Sequence, residues 1–403
     1  MKIVTAASGR RDSYQVAIAL YEAKLLQCHV TDFYLPDKFL PVVQASYCSQ
    51  FRLFDKLSQR NSSLLPSQYV HSSRRLVFTR FFQSLFPSLS GRFGDDQDPI
   101  SWSALRIAEK YGSAFLLHMG YAYQAFVASS SANIKKGLVQ YHPHIGESSK
   151  ILLRDLERYP LLTNAKAQIL ADLRDTTNQT ELSLSDLVIC NSSFTAYTCV
   201  KTGIPHDRIK VIPFGIDYIP SLQLHSFDKS TKCNFLYVGS GLHRKGLHHL
   251  LEAWSSANLS HSKLTIVCRH CDPQIQTSYS LASSVDILPS VTANHLDHLF
   301  NTSDVFVMPS LVEGFGYVYL EALSRGCFCL GTANTGLPDI ADQTCSEIIP
   351  AGDPLSLSQS LQNLEYKVLS HGIDREYIIS YAQQWSWSRF RTDLVKSVQS
   401  ELL

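Results

Sequence analysis

Asp304-Val-Phe-Val-Met-Pro-Ser-Leu-Val-Glu313-Gly-Phe-Gly316-Tyr-Val-Tyr-Leu-Glu321-Ala-Leu-Ser-Arg-Gly326 runs directly into Cys327-Phe-Cys-Leu-Gly331. The apolar run Val305 to Met308 reads as a buried strand, the segment around the two glycines as a loop, Gly316 to Arg325 as a helix and Cys327 to Gly331 as the next strand. Strand, helix, strand at this spacing is the unit of a parallel sheet. The same stretch also carries chemistry, because the free N–H groups and positive dipole end of that helix face the strand-end crevice, where an anion binds well. Glu313 stands before the helix and Glu321 eight residues later. At about 1.5 Å of rise per residue they lie roughly 12 Å apart, too far to share a proton but well placed to grip two ends of one extended ligand. A carboxylate that accepts two hydroxyl hydrogens suits a vicinal diol, so a sugar at one end, a ribose at the other and phosphate between fits the spacing.

Upstream, Asn234-Phe-Leu-Tyr-Val-Gly239 is a strand that enters the loop Ser240-Gly-Leu-His-Arg244-Lys245-Gly, followed by an apolar-periodic helix from Leu247 to Trp254. The adjacent cations Arg244 and Lys245, with loop amides, could hold a diphosphate. This loop is not a P-loop, since no GK[ST] follows, and Gly239-x-Gly241 lacks the third glycine of the dinucleotide fingerprint. Lys263 to Cys268 completes this second series of strands.

The first half repeats the alternation. Lys2 to Thr5, Cys28 to Tyr34, Ser113 to His118, Gly137 to His142, Asp186 to Ser192 and Lys210 to Pro213 read as strands, with a helix from Tyr14 to Ala23. Two doubly wound α/β domains are therefore expected, residues 1–215 and 216–384, joined through Pro213-Phe-Gly-Ile-Asp217 and a linker reaching about Lys232, with their ligand cleft at the carboxyl ends of the strands. Trp385, Trp387 and the spacing Phe390, Leu394, Val395, Val398 give a closing helix one apolar face.

Composition sets the outer limits. The chain has 403 residues, 45% hydrophobic and 18% charged, with a formal net charge of +1, which argues against disorder and against bulk nucleic-acid electrostatics. No stretch is long and apolar enough to span a bilayer, and Met1 to Ser8 meets Gly9-Arg-Arg-Asp12 too soon for a secretory apolar region, so a cytoplasmic protein is expected. Ten cysteines are too sparse for a disulfide framework, and Cys268-Arg-His-Cys271 reads as core thiols.

Together these motifs resemble the retaining nucleotide-sugar glycosyltransferases of family 4, built on the two-Rossmann-domain GT-B fold. The resemblance rests on Glu313/Glu321 with Glu-Gly-Phe-Gly, on the Val-Gly-x6-Gly loop with Lys245, on Val-Ile-Pro-Phe-Gly-Ile-Asp217 and on Pro350-Ala-Gly-Asp-Pro354. It is specific over about residues 185–360 and looser before them. It implies that Glu313 contacts the transferred sugar, Glu321 the nucleotide ribose, and Arg244 and Lys245 the diphosphate, with Gly239, Ser240, Gly314, Phe315 and Gly316 lining the donor site. Ser240 stands where the family often has an arginine, which moves the diphosphate role onto Arg244 and Lys245. It further implies a closing helix that crosses back to the first domain and front-face transfer in which the leaving diphosphate deprotonates the acceptor. No metal and no other cofactor is implied; the DxD-like Asp96-Gln-Asp98 reads as a helix cap.

His142 and His118 each end a first-half strand at the cleft edge, where the family often places a histidine near the transferred sugar. Gly9, Arg10 and Arg11 occupy the first strand-to-helix loop, where the resemblance implies contact with acceptor or phosphate. Residues 51–92 hold seven basic side chains against Asp55 alone, interleaved with phenylalanines; such a segment could lie on the anionic inner face of a membrane or pack into a core. The expected activity is hexosyl transfer from a nucleotide sugar to a glycan, lipid-linked or small acceptor in polysaccharide or glycoconjugate synthesis. A nucleotide-sugar isomerase on the same fold and a catalytically silent glycan-binding relative are the alternatives.

Overall fold

The computed structural model describes residues 1–39, 59–72, 97–131, 133–160, 162–217, 232–278 and 283–403. Thirteen strands are described: β1 (Ile3–Ala6), β2 (Leu26–Thr31), β3 (Val70–Ser72), β4 (Ala114–His118), β5 (Lys136–Gln140), β6 (Leu187–Cys190) and β7 (Ile209–Val211), then β8 (Cys233–Val238), β9 (Ser262–Val267), β10 (Val285–Leu288), β11 (Val305–Met308), β12 (Phe328–Thr332) and β13 (Ser346–Ile349). Five helices matter below: α1 (Gln15–Glu22), α2 (Ile145–Arg158), α3 (Leu247–Ala257), α4 (Val318–Leu323) and α5 (Trp387–Glu401).

The strands form two sheets, ordered β3-β2-β1-β4-β5-β6-β7 and β10-β9-β8-β11-β12-β13, and every named pairing is parallel. Parallel strands covered on both faces read as unbroken apolar runs, which is why Ala-Phe-Leu-Leu-His and Val-Phe-Val-Met are buried at every position. In the first sheet, alternate residues serve opposite faces. Ile3, Leu116, Val139 and Ile189 join one core with Ile18 of α1, while Val4, Phe115, Leu138 and Val188 join the other with Ile100, Ala108 and Phe126. Both sheets reverse strand order beside their first strand. Each therefore has a switch point, between β1 and β4 and between β8 and β11, where an open α/β sheet takes its ligand.

The closing helix is longer than its apolar spacing alone indicates. Ser386 caps α5 by accepting from Arg389 N at 3.2 Å, and Trp387, Phe390, Leu394, Val398 and Leu402 are buried in the core under the first sheet. Arg391 adds contacts to Glu22 (2.9 Å) and Gln15 (2.8 Å) on α1. The return of the chain to the first sheet thus follows from the apolar stripe.

One arrangement was not legible. Helix α2 lies between β5 and β6 in the chain, yet Leu152 and Leu156 are buried in the core of the second sheet. The strands β3, β10 and β13 were also missed, being short and only partly covered. Of the basic residues in 51–92, Arg60 turns inward, pairing with Asp32 and donating to Phe33 O. The rest lie outside the described residues, as do Asp96 and most of the linker. Among the described residues no helix is long and apolar enough to cross a membrane.

Candidate active site

At the second switch point the loop after β11 carries Glu313 onto the two cations that follow β8. Glu313 Oε2 accepts from Arg244 Nη1 at 2.8 Å and pairs closely with Lys245 Nζ. The carboxylate and Lys245 are nearly enclosed, while the Arg244 side chain is 38% exposed, so Arg244 is the cation open to an incoming anion. Burial pushes the Glu313 carboxyl up, but Lys245 and then Arg244 outweigh it and hold its pKa at about 2. Burial lowers the Lys245 pKa, with Glu313 opposing and Arg244 reinforcing. The site therefore holds a fixed carboxylate between two cations.

The loops around the triad are locked by close approach and by side chains. Gly246 has φ +69°, and a Cβ there would lie 2.0 Å from Pro309 O, so the cation loop can seat against β11 only with glycine. Leu311 N donates to Arg244 O at 2.9 Å, Thr332 Oγ1 to Ser310 O at 2.6 Å, Asn334 Nδ2 to Leu311 O at 2.8 Å, and Glu313 N to Asn334 O at 3.0 Å. Thr332 and Asn334 carried no signal in the sequence, since a Thr and an Asn after a strand read as turn residues.

Across the cleft, the Glu313 loop meets the end of β5. A Cβ on Gly314 would fall 2.1 Å from Tyr141 O and 3.3 Å from His142 Cα, and Ser192 Oγ donates to Gly314 O at 2.5 Å. His142 is solvent-accessible beside this contact. Desolvation between the two sheets lowers its pKa, Glu313 opposes, and Arg11, Arg244 and Lys245 reinforce. Phe315 is buried and stacks edge-on to Phe214 at 4.9 Å, which stacks in turn on Tyr141 at 4.6 Å. Its side chain builds the joint between the sheets. Gly316 precedes α4, whose Glu321 is half-buried, its pKa raised by burial with Arg325 opposing. Gly239 N donates to Val267 O at 3.0 Å, and Ser240 O accepts from Tyr237 Oη at 2.9 Å, which fixes the start of the cation loop.

His118 does not face the open cleft. It is buried, with Nδ1 3.2 Å from Ala6 O, its ring edge-on to Tyr141 at 5.2 Å, and Nε2 3.9 Å from Asp12 Oδ2. The sequence places it at the cleft edge because strand endings predict height in the sheet but not what lies above. Asp12, beside it, opens Asp12-Ser-Tyr14, three consecutive non-glycine residues with φ of 43°, 52° and 66°. Each such residue costs on the order of 1 kcal/mol or more, and such strain gathers at functional sites. Asp12 Oδ2 holds the turn by accepting from Val16 N and Tyr141 Oη, both at 3.0 Å. In the preceding loop Gly9 N donates to Asp32 at 2.9 Å, Arg11 lies over the Tyr121 ring at 5.4 Å, and exposed Arg10 lines a cavity of about 340 Å³ with Asp217, Trp387 and Arg391.

Residues 232–365 match the family glycosyl transferases group 1. Curated relatives include an uncharacterized glycosyltransferase of Methanocaldococcus jannaschii, 24% identical over 52% of this chain and 58% of its own. Another is the phosphatidylinositol N-acetylglucosaminyltransferase gpi3 subunit of Schizosaccharomyces pombe, 24% identical over 51% of this chain and 47% of its own. The chain thus spans about half the length of the curated relatives it matches. Among solved structures, sucrose-phosphate synthase from Thermosynechococcus elongatus superposes with a TM-score of 0.62 at 15% identity, covering 99% of this chain and 98% of that one. Anabaena HepE in complex with UDP and glucose gives 0.60 at 15% identity, covering 99% and 100%. The match over residues 232–365 makes the second half of the chain similar to the glycosyl transferases group 1 family, and the two parallel sheets with these structural neighbours give the chain the GT-B fold.

Proposed function

We propose that this chain moves a hexosyl unit from a nucleoside-diphosphate sugar to an acceptor hydroxyl with retention at the anomeric carbon, in glycan or glycoconjugate synthesis. The observation that carries the reading is the Glu313–Arg244–Lys245 triad at the second switch point, set against His142 from the first sheet. The diphosphate is met by Arg244, Lys245 and loop amides, the ribose by Glu321 and the hexose hydroxyls by Glu313. The acceptor is received by the first sheet near His142 and the loop of Gly9, Arg10 and Arg11. The bond from C1 to the phosphate oxygen breaks as the acceptor oxygen bonds C1 on the same face, and the acceptor's proton passes to that phosphate oxygen. The protein's main task is to stabilise the charge growing on the leaving diphosphate, and cations fixed in advance do this without reorganising.

The test is nucleotide release from a panel of nucleotide sugars, UDP-hexoses first because HepE of the same fold was solved with UDP and glucose. Slow release without acceptor and faster release with it is the expected result. Interconversion of the sugar with no release would mark an isomerase, and no turnover with any donor a silent binder; either outcome overturns the proposal.

Two further outcomes follow from the roles. Glu321→Ala weakens nucleoside-diphosphate binding about tenfold, the scale of a charge-assisted hydrogen bond to a ribose hydroxyl. Calorimetry with UDP, GDP and ADP checks this, and unchanged affinity for the bound nucleotide removes Glu321 from the ribose. Because Arg244 and Lys245 supply the positive charge, turnover does not rise with added Mg²⁺ or Mn²⁺. Recovery of chelator-treated enzyme by Mg²⁺ alone would show that phosphate needs a metal here.

A further inference from the structure

Four side chains with no part in that chemistry meet just behind the Arg244 loop. Asp155 of α2 directs Oδ2 at Nε2 of His243 (2.6 Å) and of His248 (3.0 Å), and Oδ1 at Nε2 of His249 (2.7 Å). All four side chains are at least nine-tenths buried. They come from three places in the chain: α2, the turn before Arg244 and the first turn of α3. His248 and His249 are sequence neighbours on a helix, where adjacent side chains normally diverge, yet their ring centroids are 4.2 Å apart and both reach the same carboxylate.

The protons of this cluster balance only with one added positive charge, a metal ion or a second proton on His249. Tyr159 Oη donates to Glu252 Oε2 at 2.5 Å and lies 3.3 Å from His249 Nδ1. A hydroxyl whose hydrogen is committed to Glu252 can only accept from that nitrogen, so Nδ1 carries the proton. In a neutral His249, Nε2 is then a bare lone pair 2.7 Å from a carboxylate oxygen, a repulsive contact unless positive charge sits between them. The chain His249, Tyr159, Glu252 is also the kind of outer support that orients a metal-bound imidazole.

We propose that Asp155, His243, His248 and His249 form a closed four-ligand site for a transition-metal dication of the Zn²⁺ class. Three imidazoles and one carboxylate suit Zn²⁺ and its neighbours and not the all-oxygen preference of Mg²⁺ or Ca²⁺. The ligand atoms of Asp155, His243 and His248 lie within 4.8 Å of one another. Bonds of about 2.0 Å in tetrahedral geometry separate ligand atoms by about 3.3 Å, so each nitrogen and oxygen need part by less than about 1 Å, the nitrogens of His243 and His248 need close by no more than about 1.5 Å, and His249, which lies outside that group of three but reaches the same carboxylate, must swing in further. With four protein ligands the ion has no open position and acts structurally. It fastens α2 to the loop that carries Arg244 and Lys245, and so helps set the position of the diphosphate cations.

The full-length protein, stripped by chelator and dialysed, is titrated with Zn²⁺ and separately with Co²⁺. The expected result is one ion per chain, a melting temperature raised by several degrees by Zn²⁺ and not by Mg²⁺, and the visible bands of four-coordinate Co²⁺ without thiolate charge transfer. His248→Gln and Asp155→Asn each abolish the bands while circular dichroism reports whether the variant is folded; if one does not fold, the wild-type titration decides alone. Absence of stoichiometric binding in the wild type overturns the site and leaves a proton on His249 as the charge. Thiolate bands, a six-coordinate spectrum, or bands that survive in a folded variant overturn it as well, by placing the ion elsewhere.

Discussion

Glu313→Gln lowers kcat by roughly 10² to 10³ fold, the range seen when one preorganised electrostatic contact to a transition state is removed, while affinity for the free nucleoside diphosphate stays the same or tightens. The direction of the second effect comes from the triad. In the free protein Arg244 and Lys245 are both spent on the Glu313 carboxylate, which is ionised down to about pH 2, so an arriving diphosphate must share them. A neutral amide of the same shape releases both cations to the phosphates but takes away the anion proposed to meet the sugar. Turnover by nucleotide release and affinity by calorimetry, on the same preparation, separate the two roles. Loss of nucleotide affinity equal to the loss of turnover would mean that Glu313 serves binding alone.

A chain that ends at Gln384 is expected to lose the folded first sheet as well as activity. The missing segment removes Trp387, Phe390, Leu394, Val398 and Leu402 from the core under β1, β4, β5 and β6. At about 1.5 to 3 kcal/mol for each buried apolar side chain, the loss is on the order of 10 kcal/mol, as large as the whole stability of many domains. It also uncovers α1, whose Gln15 and Glu22 bond Arg391. Hydrogen exchange decides the matter: protection falls in Ile3–Ala6, Ala114–His118 and Leu187–Cys190 of the truncated chain. Unchanged protection there would show that the first sheet holds without α5.

The sequence made legible the strand series and the loops that carry Arg244, Lys245 and Glu313, because each rests on local pattern, but not the ion pairs that join those loops. Continuous apolar runs mark buried parallel strands, and glycines beside charged residues mark the loops at their ends, as in Gly239 to Lys245 and Glu313 to Gly316. Contacts between distant segments left no such mark. Asp155 reads as one more acidic residue on an amphipathic helix, and only the fold brings it to His243, His248 and His249. Asn334 supports the Glu313 loop through two hydrogen bonds and Ser192 through one, each from another part of the chain. The place of Asp12 beside His118 comes with a left-handed run at Asp12, Ser13 and Tyr14, which residues of those types rarely adopt and which no propensity would suggest. Phe315 stood in a motif with donor-site glycines, but its size made it a wedge between the sheets.

The lodging of α2 against the second sheet changes what counts as a separable piece of this protein. With Leu152 and Leu156 embedded there and α5 returned to the first sheet, each body includes a stretch of chain that sequence order would give to the other. A protease that nicks between Asp217 and Lys232 would therefore yield two fragments that stay together through gel filtration, each holding part of the other's core. Expressed separately, the fragments 1–217 and 232–403 would each be incomplete, and activity would return only on mixing.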